Sequence, residues 1–367
     1  MALKKIKLGD YITQHNTRNF RNLIKNVKGI SVKKEFREPT SKVDRSELKN
    51  YKLVLPGYFA SVQTTHNEKC FAFAYNDTGE TIVVSSVNLV FSVDESVINP
   101  RWLQVFFNRS EFDRYTRFNS WGSAREIFTW EDLCNIEIDL PDLGIQEKFV
   151  KIYLSMVENQ KAYEKGLNDL KLVCDGYIEN LRKQVPCEEI RAYINEKKDI
   201  NKDYKVKRLY GLTNELGFQK PSSMSDGVDI GRYKCISKDD IVYPPPHFGE
   251  IGTIGLFRYD EGIVSPMYVV FEVNYKEKLN PDYLFMWLKR QEFMRYAFFA
   301  SCDSIRDTFD FEKMCEYKIP IPSIDVQKSI ASLYNCCVER KLINEKLKQQ
   351  IKDICPILIK GSLAEAM

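Results

Sequence analysis

Residues Asn99–Gln146 read NPRWLQVFFNRSEFDRYTRFNSWGSAREIFTWEDLCNIEIDLPDLGIQ, and residues Asn280–Gln327 read NPDYLFMWLKRQEFMRYAFFASCDSIRDTFDFEKMCEYKIPIPSIDVQ. The segments align without a gap at an offset of 181. Shared positions include Asn99/Asn280, Pro100/Pro281, Leu103/Leu284, Arg109/Arg290, Glu111/Glu292, Phe112/Phe293, Arg114/Arg295 and Tyr115/Tyr296. They continue with Phe118/Phe299, Ser123/Ser304, Arg125/Arg306, Phe128/Phe309, Cys134/Cys315, Pro141/Pro322 and Gln146/Gln327. Chance composition does not give agreement over such a length. The chain is a tandem duplication, and its function must use two similar units.

Upstream of this block an offset of 182 pairs Tyr11-Ile12 with Tyr193-Ile194, Gly29 with Gly211, Phe36 with Phe218, Pro39 with Pro221 and Tyr51-Lys52 with Tyr233-Lys234. Each unit opens with short β-branched and aromatic runs between turn signals. In the first these are Leu53-Val54-Leu55, Tyr58-Phe59-Ala60, Ile82-Val83-Val84 and Leu89-Val90-Phe91; in the second, Asp240–Tyr243 and Met267–Phe271. Asn-Pro then opens a helix, because a proline in the first turn loses no hydrogen bond. Leu103, Phe106, Phe107 and Tyr115 keep helical spacing, as do Leu284, Trp287, Leu288 and Tyr296. A loop, a strand (Ile136–Leu140, or Lys318–Ile321) and a proline follow.

Beyond each proline runs a long amphipathic stretch. Ile145, Phe149, Ile152, Met156, Tyr163, Leu167, Leu170, Val173, Tyr177 and Leu181 step by threes and fours, as do Ile330, Leu333, Cys337, Ile343, Leu347, Ile351 and Leu358. The patterning is that of a coiled coil. Helices of this size are roughly 60 Å long. Pro356 is expected to break or kink the second helix. The expected fold is α+β: two similar β-rich domains, over 1–143 and 186–324, separated by an antiparallel pair of long coiled-coil-like helices, over 144–185 and 325–367, as a pseudo-twofold tandem repeat.

The 367 residues, 44% hydrophobic, suit two globular domains. No apolar run approaches the roughly 20 residues that span a bilayer. MALKKIKLGD has no apolar signal-peptide core. The ten cysteines form no Cys-x-x-Cys pair and are expected to be reduced, mostly buried thiols of a cytoplasmic protein. Cys134 and Cys315 are expected in apolar strands. Net charge is +3, but residues 1–50 hold thirteen Lys/Arg against five Asp/Glu. That local excess suits either a polyanion-facing surface or a solvated face.

No motif assembles an active site. Gly249, Gly252 and Gly255 do not have dinucleotide-loop spacing, and no Walker loop is present. Three histidines, His15, His66 and His247, do not suggest a zinc site or a triad. Tyr243-Pro244-Pro245-Pro246 has the composition of an amino-methyltransferase box in the wrong order and reads as a rigid turn.

The duplicated block, Gly122-Ser123 through Ile138-Asp139-Leu140-Pro141 to Gln146 and again Ser304 through Ile319-Pro320-Ile321-Pro322 to Gln327, each followed by a long Lys/Glu-rich helix, resembles the specificity subunit of type I restriction-modification systems. The resemblance covers the whole chain and departs at Ser301-Cys302-Asp303, where the first copy has Ser120-Trp121-Gly122. It implies a non-catalytic subunit of a DNA adenine methyltransferase/restriction endonuclease complex. Each domain would then be a target-recognition domain reading half of a bipartite double-stranded DNA target. The helices would set the spacing and dock two methylation subunits. Those partners would bind S-adenosylmethionine, leaving this chain without cofactor, metal or catalytic residue, and restriction subunits would join them.

Readers of this kind sit in polar loops: phosphates take Lys, Arg and backbone N–H, while base edges take Arg, Lys, Gln, Asn, Ser or Thr. The candidates in the first domain are Lys33, Lys34, Arg37 and Lys42, with Thr64, Thr65 and His66. In the second they are Gln219, Lys220, Ser222 and Ser223, with His247. Arg125 and Arg306 either contact DNA or hold their loop to Glu131 or Glu312. Two other readings stay open: a stand-alone DNA-modifying enzyme, and a protein scaffold that reads no DNA.

Overall fold

The computed structural model describes residues 3–64, 70–121, 126–214, 217–220, 229–246, 248, 252–301 and 308–367. These fall into two units, Met1–Glu164 with Ile343–Met367, and Lys165–Leu342. Unit 1 contains strands β1 (Lys4–Lys7), β2 (Ile12–Gln14), β3 (Gly29–Ile30), β4 (Phe36–Arg37), β5 (Lys52–Val54), β6 (Phe59–Ser61), β7 (Phe73–Tyr75), β8 (Ile82–Val84) and β9 (Leu89–Val93). Helices α1 (Pro100–Phe107), α2 (Ser110–Phe118) and α3 (Trp130–Cys134), strand β10 (Glu137–Leu140) and helix α4 (Leu143–Gln184) follow.

Side-chain alternation explains the layers. The antiparallel sheet β2-β9-β6-β7 pairs Phe59 with Phe91 and Tyr75, and Ala60 with Val90 and Ala74. Phe59, Phe73 and Phe91 turn to one face and meet Trp102, Leu103 and Phe107 of α1, with Val150, Tyr153, Leu358 and Ile359. Ala60, Ala74 and Val90 turn to the other face, against Val54, Ile82 and Val84 of the β5-β8 pair. Small residues on the second face let that pair close down on the sheet.

Unit 2 repeats this order. Its strands are β11 (Cys187–Glu189), β12 (Ile194–Glu196), β13 (Gly211–Thr213), β14 (Gly217–Gln219), β15 (Lys234–Ser237), β16 (Ile241–Tyr243), β17 (Gly255–Leu256), β18 (Glu261–Val264) and β19 (Val269–Val273). Helices α5 (Pro281–Leu288), α6 (Gln291–Ser301) and α7 (Phe311–Cys315), strand β20 (Lys318–Pro320) and helix α8 (Ile324–Glu365) complete the chain. The sheet order β12-β19-β16-β17 and the pairs β13-β14, β15-β18 and β11-β20 match those of unit 1 one for one.

The repeated identities make the frame. Asn99 caps α1 by accepting from the N–H groups of Arg101 and Trp102, and Asn280 caps α5 through Tyr283 N–H. The fully buried Gln146 accepts from Asn99 N–H at 2.8 Å and donates to Val97 and Pro141 carbonyls at 3.1 and 2.8 Å. Gln327 does the same to Asn280 N–H, Lys278 O and Pro322 O at 2.9, 2.7 and 2.8 Å. One amide thus ties a strand end, a cap and a long helix, which is why proline and glutamine recur together. Asn19 and Asn201 are a repeat invisible in the block: each donates to the carbonyl five residues on, at 2.8 Å. Each is followed three residues later by a left-handed residue, Asn22 (φ 53°) or Tyr204 (φ 54°).

Four expectations are corrected. The helix expected from Pro100 past Tyr115 is two helices, because Asn108 N–H bonds back to Gln104 and Val105 carbonyls and Arg109 is extended. The Arg109 guanidinium lies 3.8 Å from the Phe106 ring centre and its Nε donates to Phe106 O at 2.9 Å. Cys134 and Cys315 end helices α3 and α7 rather than lying in strands. Of the nine described cysteines, none in a disulfide, only Cys174, Cys315 and Cys355 are buried. Helix α8 runs through Pro356. An interior proline costs about 3 kcal/mol, but Cys355, Leu358 and Ile359 around it are buried in the unit 1 core, and that packing holds the helix together.

The long helices pair antiparallel within unit 1: Lys148 meets Glu365 at 2.7 Å, Gln160 meets Asn344 at 2.9 Å and Glu164 meets Lys348 at 2.6 Å. In unit 2, Cys174 and Cys337 bring their sulfurs to 3.2 Å across the same two helices. No helix among the described residues is long and apolar enough to cross a membrane.

Candidate nucleic-acid interface

Three segments of unit 1 converge. The first is the β3-β4 hairpin, in which Gly29 pairs with Arg37 and Ile30 with Phe36. The second leaves β6 at Thr64, and the third joins α2 to α3. Thr64 bridges to Ile127, Trp121 bridges to Ile127, and Phe128 N–H donates to Gln63 O at 2.8 Å. The hairpin turn is tied to the same place. Lys34 Nζ donates to Asp113 and to Phe107 O at 2.8 Å, Asp113 accepts from Phe71 N–H at 2.9 Å, and Cys70 Sγ lies 3.8 Å from Val32 O. Unit 2 repeats the closure: Pro246 bridges to Thr308, and Phe309 N–H donates to Pro245 O at 3.0 Å.

Among the sequence candidates, Lys33, Arg37 and Lys42 of unit 1 and Gln219 and Lys220 of unit 2 are exposed. Thr64 is half-buried at the bridge. Lys34 differs from its neighbour. Its side chain is 9% exposed and its ammonium is committed to Asp113, so its charge serves the interior rather than a phosphate. Burial pushes the Lys34 ammonium below its ordinary pKa, against the pull of Asp113. Thr65, His66, Arg125, Ser222, Ser223, His247 and Arg306 lie outside the described residues. Glu312, the alternative partner of Arg306, accepts from Arg191 at 2.6 Å.

The basic excess of residues 1–50 is partly neutralised inside unit 1. Lys5 pairs with Glu137 at 2.7 Å and Lys34 with Asp113, both acids outside that stretch. Sequence reasoning missed a second exposed group. Arg114, Arg117 and Phe118 share the open face of α2, and Arg295 and Phe299 hold the same positions on α6. Phe118 and Phe299 are each 80% exposed. The signal was there: on an amphipathic helix, Phe118 falls with the arginines rather than with Phe112.

Residues 230–353 match the family described as "Type I restriction modification DNA specificity domain". No curated protein matches the chain. Among solved structures, the S subunit of a type I restriction-modification system from M. genitalium is 12% identical, with 99% of this chain and 96% of that one covered, at a TM-score of 0.61. The HsdS subunit from Thermoanaerobacter tengcongensis is 11% identical, covering 100% and 97%, at a TM-score of 0.38. A structure from work on complex assembly and conformational transition of the type I R-M system is 11% identical, covering 100% and 98%, at 0.48. The first of these establishes a shared fold over the whole length. Residues 230–353 thus resemble the type I restriction modification DNA specificity domain, in a chain that shares its fold with the S subunit from M. genitalium.

Proposed function

We propose that the chain is the DNA-reading subunit of a type I restriction-modification complex, each unit taking one half of a bipartite target. The observation that supports it most is a frame repeated between units while exposed hairpin residues on it differ, Arg37 and Glu38 in one and Gln219 and Lys220 in the other. Two different half-sites present the same backbone but different base edges, and this division of residues answers both. Lys33 and Lys42 would meet phosphates. Arg114 and Arg295, identical and exposed, suit a contact common to both half-sites. The paired helices would set the spacing and dock two methylation subunits, with restriction subunits joining the assembly. S-adenosylmethionine and the transfer chemistry would belong to those methylation partners.

The test uses the full chain and labelled duplex DNA. Affinity should fall steeply with salt, and replacing Lys33 and Lys42 together by alanine should flatten the slope of log affinity against log salt by about 2, equally on all sequences. Salt-independent binding, or none, overturns the reading and leaves a protein scaffold.

A further inference from the structure

We propose that the β3-β4 and β13-β14 hairpins are equivalent major-groove ribbons, on which Arg37 reads a guanine and Gln219 reads an adenine. The proposal rests on the DNA-reading function above and assigns its specificity to two side chains.

The frame of the hairpins is the same. Gly29 pairs with Arg37, and Gly211 pairs with Gln219, in antiparallel two-stranded ribbons. Phe36 precedes Arg37 and turns inward onto Ile30, Val54 and Ala60. Phe218 precedes Gln219 and turns inward onto Tyr210 and Phe257, its ring 5.1 Å from that of Phe257. Strand alternation then sends Arg37 and Gln219 outward, and both are exposed. The residue opposite each is glycine, so one long side chain has that stretch of ribbon to itself; a Cβ on Gly29 would already touch Arg37 Cγ at 3.7 Å.

Both ribbons are held firmly, as a reader requires. In unit 1, Lys34 anchors the turn to Asp113 and Phe107 O. In unit 2, β17 presents Gly255 to the ribbon; a Cβ there would fall 2.6 Å from Leu212 Cδ1 and 2.7 Å from Phe218 Cε2, so the close fit depends on glycine.

The residue types complete the case. A two-stranded ribbon fits the major groove, where Arg bonds guanine O6 and N7 and Gln bonds adenine N6 and N7, each in bidentate fashion. A phosphate is met most strongly by a cation. Gln219 is neutral. The neighbouring position changes too: Glu38, paired with Lys28, stands where unit 2 has Lys220.

The experiment selects duplexes from a randomised pool with the full chain, as wild type, R37Q, Q219R and R37A. Wild type should enrich a two-part motif. R37Q should convert one guanine to adenine in one half and leave the other half unchanged; Q219R should do the reverse in the other half. R37A should lose about tenfold to a hundredfold discrimination at that one position. Both positions are exposed, and matching urea midpoints confirm folding. A two-part motif that no variant alters, or an equal loss on all sequences, overturns this assignment alone. A wild-type chain that enriches no motif overturns the DNA-reading function with it.

Discussion

Replacing Gln146 by alanine is expected to cost about 4 kcal/mol, because a buried donor or acceptor left without its partner costs about 1–3 kcal/mol and this amide serves three backbone groups. Asn99 N–H is the worst loss, since a carbonyl keeps a second lone pair but an N–H has no alternative. Gln146→Met separates the causes: it fills the same volume without hydrogen bonds. If polar satisfaction dominates, it should lose nearly as much as alanine in urea unfolding. Gln327→Ala should behave alike, since Gln327 holds Asn280, Lys278 and Pro322 in the same way. The two substitutions lie in different units and should add to within about 0.5 kcal/mol. A loss below about 1 kcal/mol for either alanine would refute the view that the glutamine is the tie of the repeat.

The duplication was legible because the identical residues are the ones whose chemistry fixes geometry. Asn99, Pro100, Pro141 and Gln146 and their counterparts are a cap, a helix start, a strand stop and a tie. The long helices were legible from their stripes, and they run over Leu143–Gln184 and Ile324–Glu365. Local pattern failed where distant contacts decide. Phe106 and Phe107 continue an apolar stripe across the break at Asn108, so only the stacking of Arg109 reveals it. Strand β1 is three lysines around the buried Ile6, and nothing in KKIK announces a strand until Ile138 lies opposite. Pro356 reads as a break or kink because the unit 1 core that holds its neighbours is folded from residues far upstream.

The candidate site was approached by residue type, which does not reveal how each side chain is committed. Lys33 and Lys34 are chemically the same, and no sequence rule separates them. Separation comes from Asp113, seventy-nine residues from Lys34, and from a left-handed φ of 65° that turns Lys34 inward. Arg37 and Gln219 were candidates as polar loop residues; only the ribbon register shows that they occupy one position in two copies of a hairpin.

Lys34→Ala is accordingly expected to destabilise unit 1 by about 3 kcal/mol, the scale for removing one partner of a mostly buried ion pair, whereas Lys33→Ala should stay within about 0.5 kcal/mol of wild type. The alanine leaves Asp113, 23% exposed, without its cation, and strips Phe107 O of a donor. Lys34→Met with Asp113→Leu should recover part of the loss, because two apolar groups replace two charges; Phe71 N–H, which Asp113 accepts, limits the recovery. The pH dependence has a definite sign. Burial lowers the Lys34 pKa, so on raising the pH the folded chain releases this proton before the unfolded chain does. Its contribution to stability therefore rises between the folded value and the ordinary lysine pKa of about 10.4, and is lost as pH falls through the folded value. Lys34→Met should lack that alkaline rise in urea midpoints. In DNA binding the salt slope separates the two: Lys33→Ala should flatten the slope of log affinity against log salt by about 1, whereas Lys34→Ala, at a temperature where it remains folded, should keep the wild-type slope and lose only selectivity at the position read from the β3-β4 ribbon. If Lys34→Ala instead kept full stability and bound DNA poorly, the ammonium would be facing the nucleic acid and not Asp113.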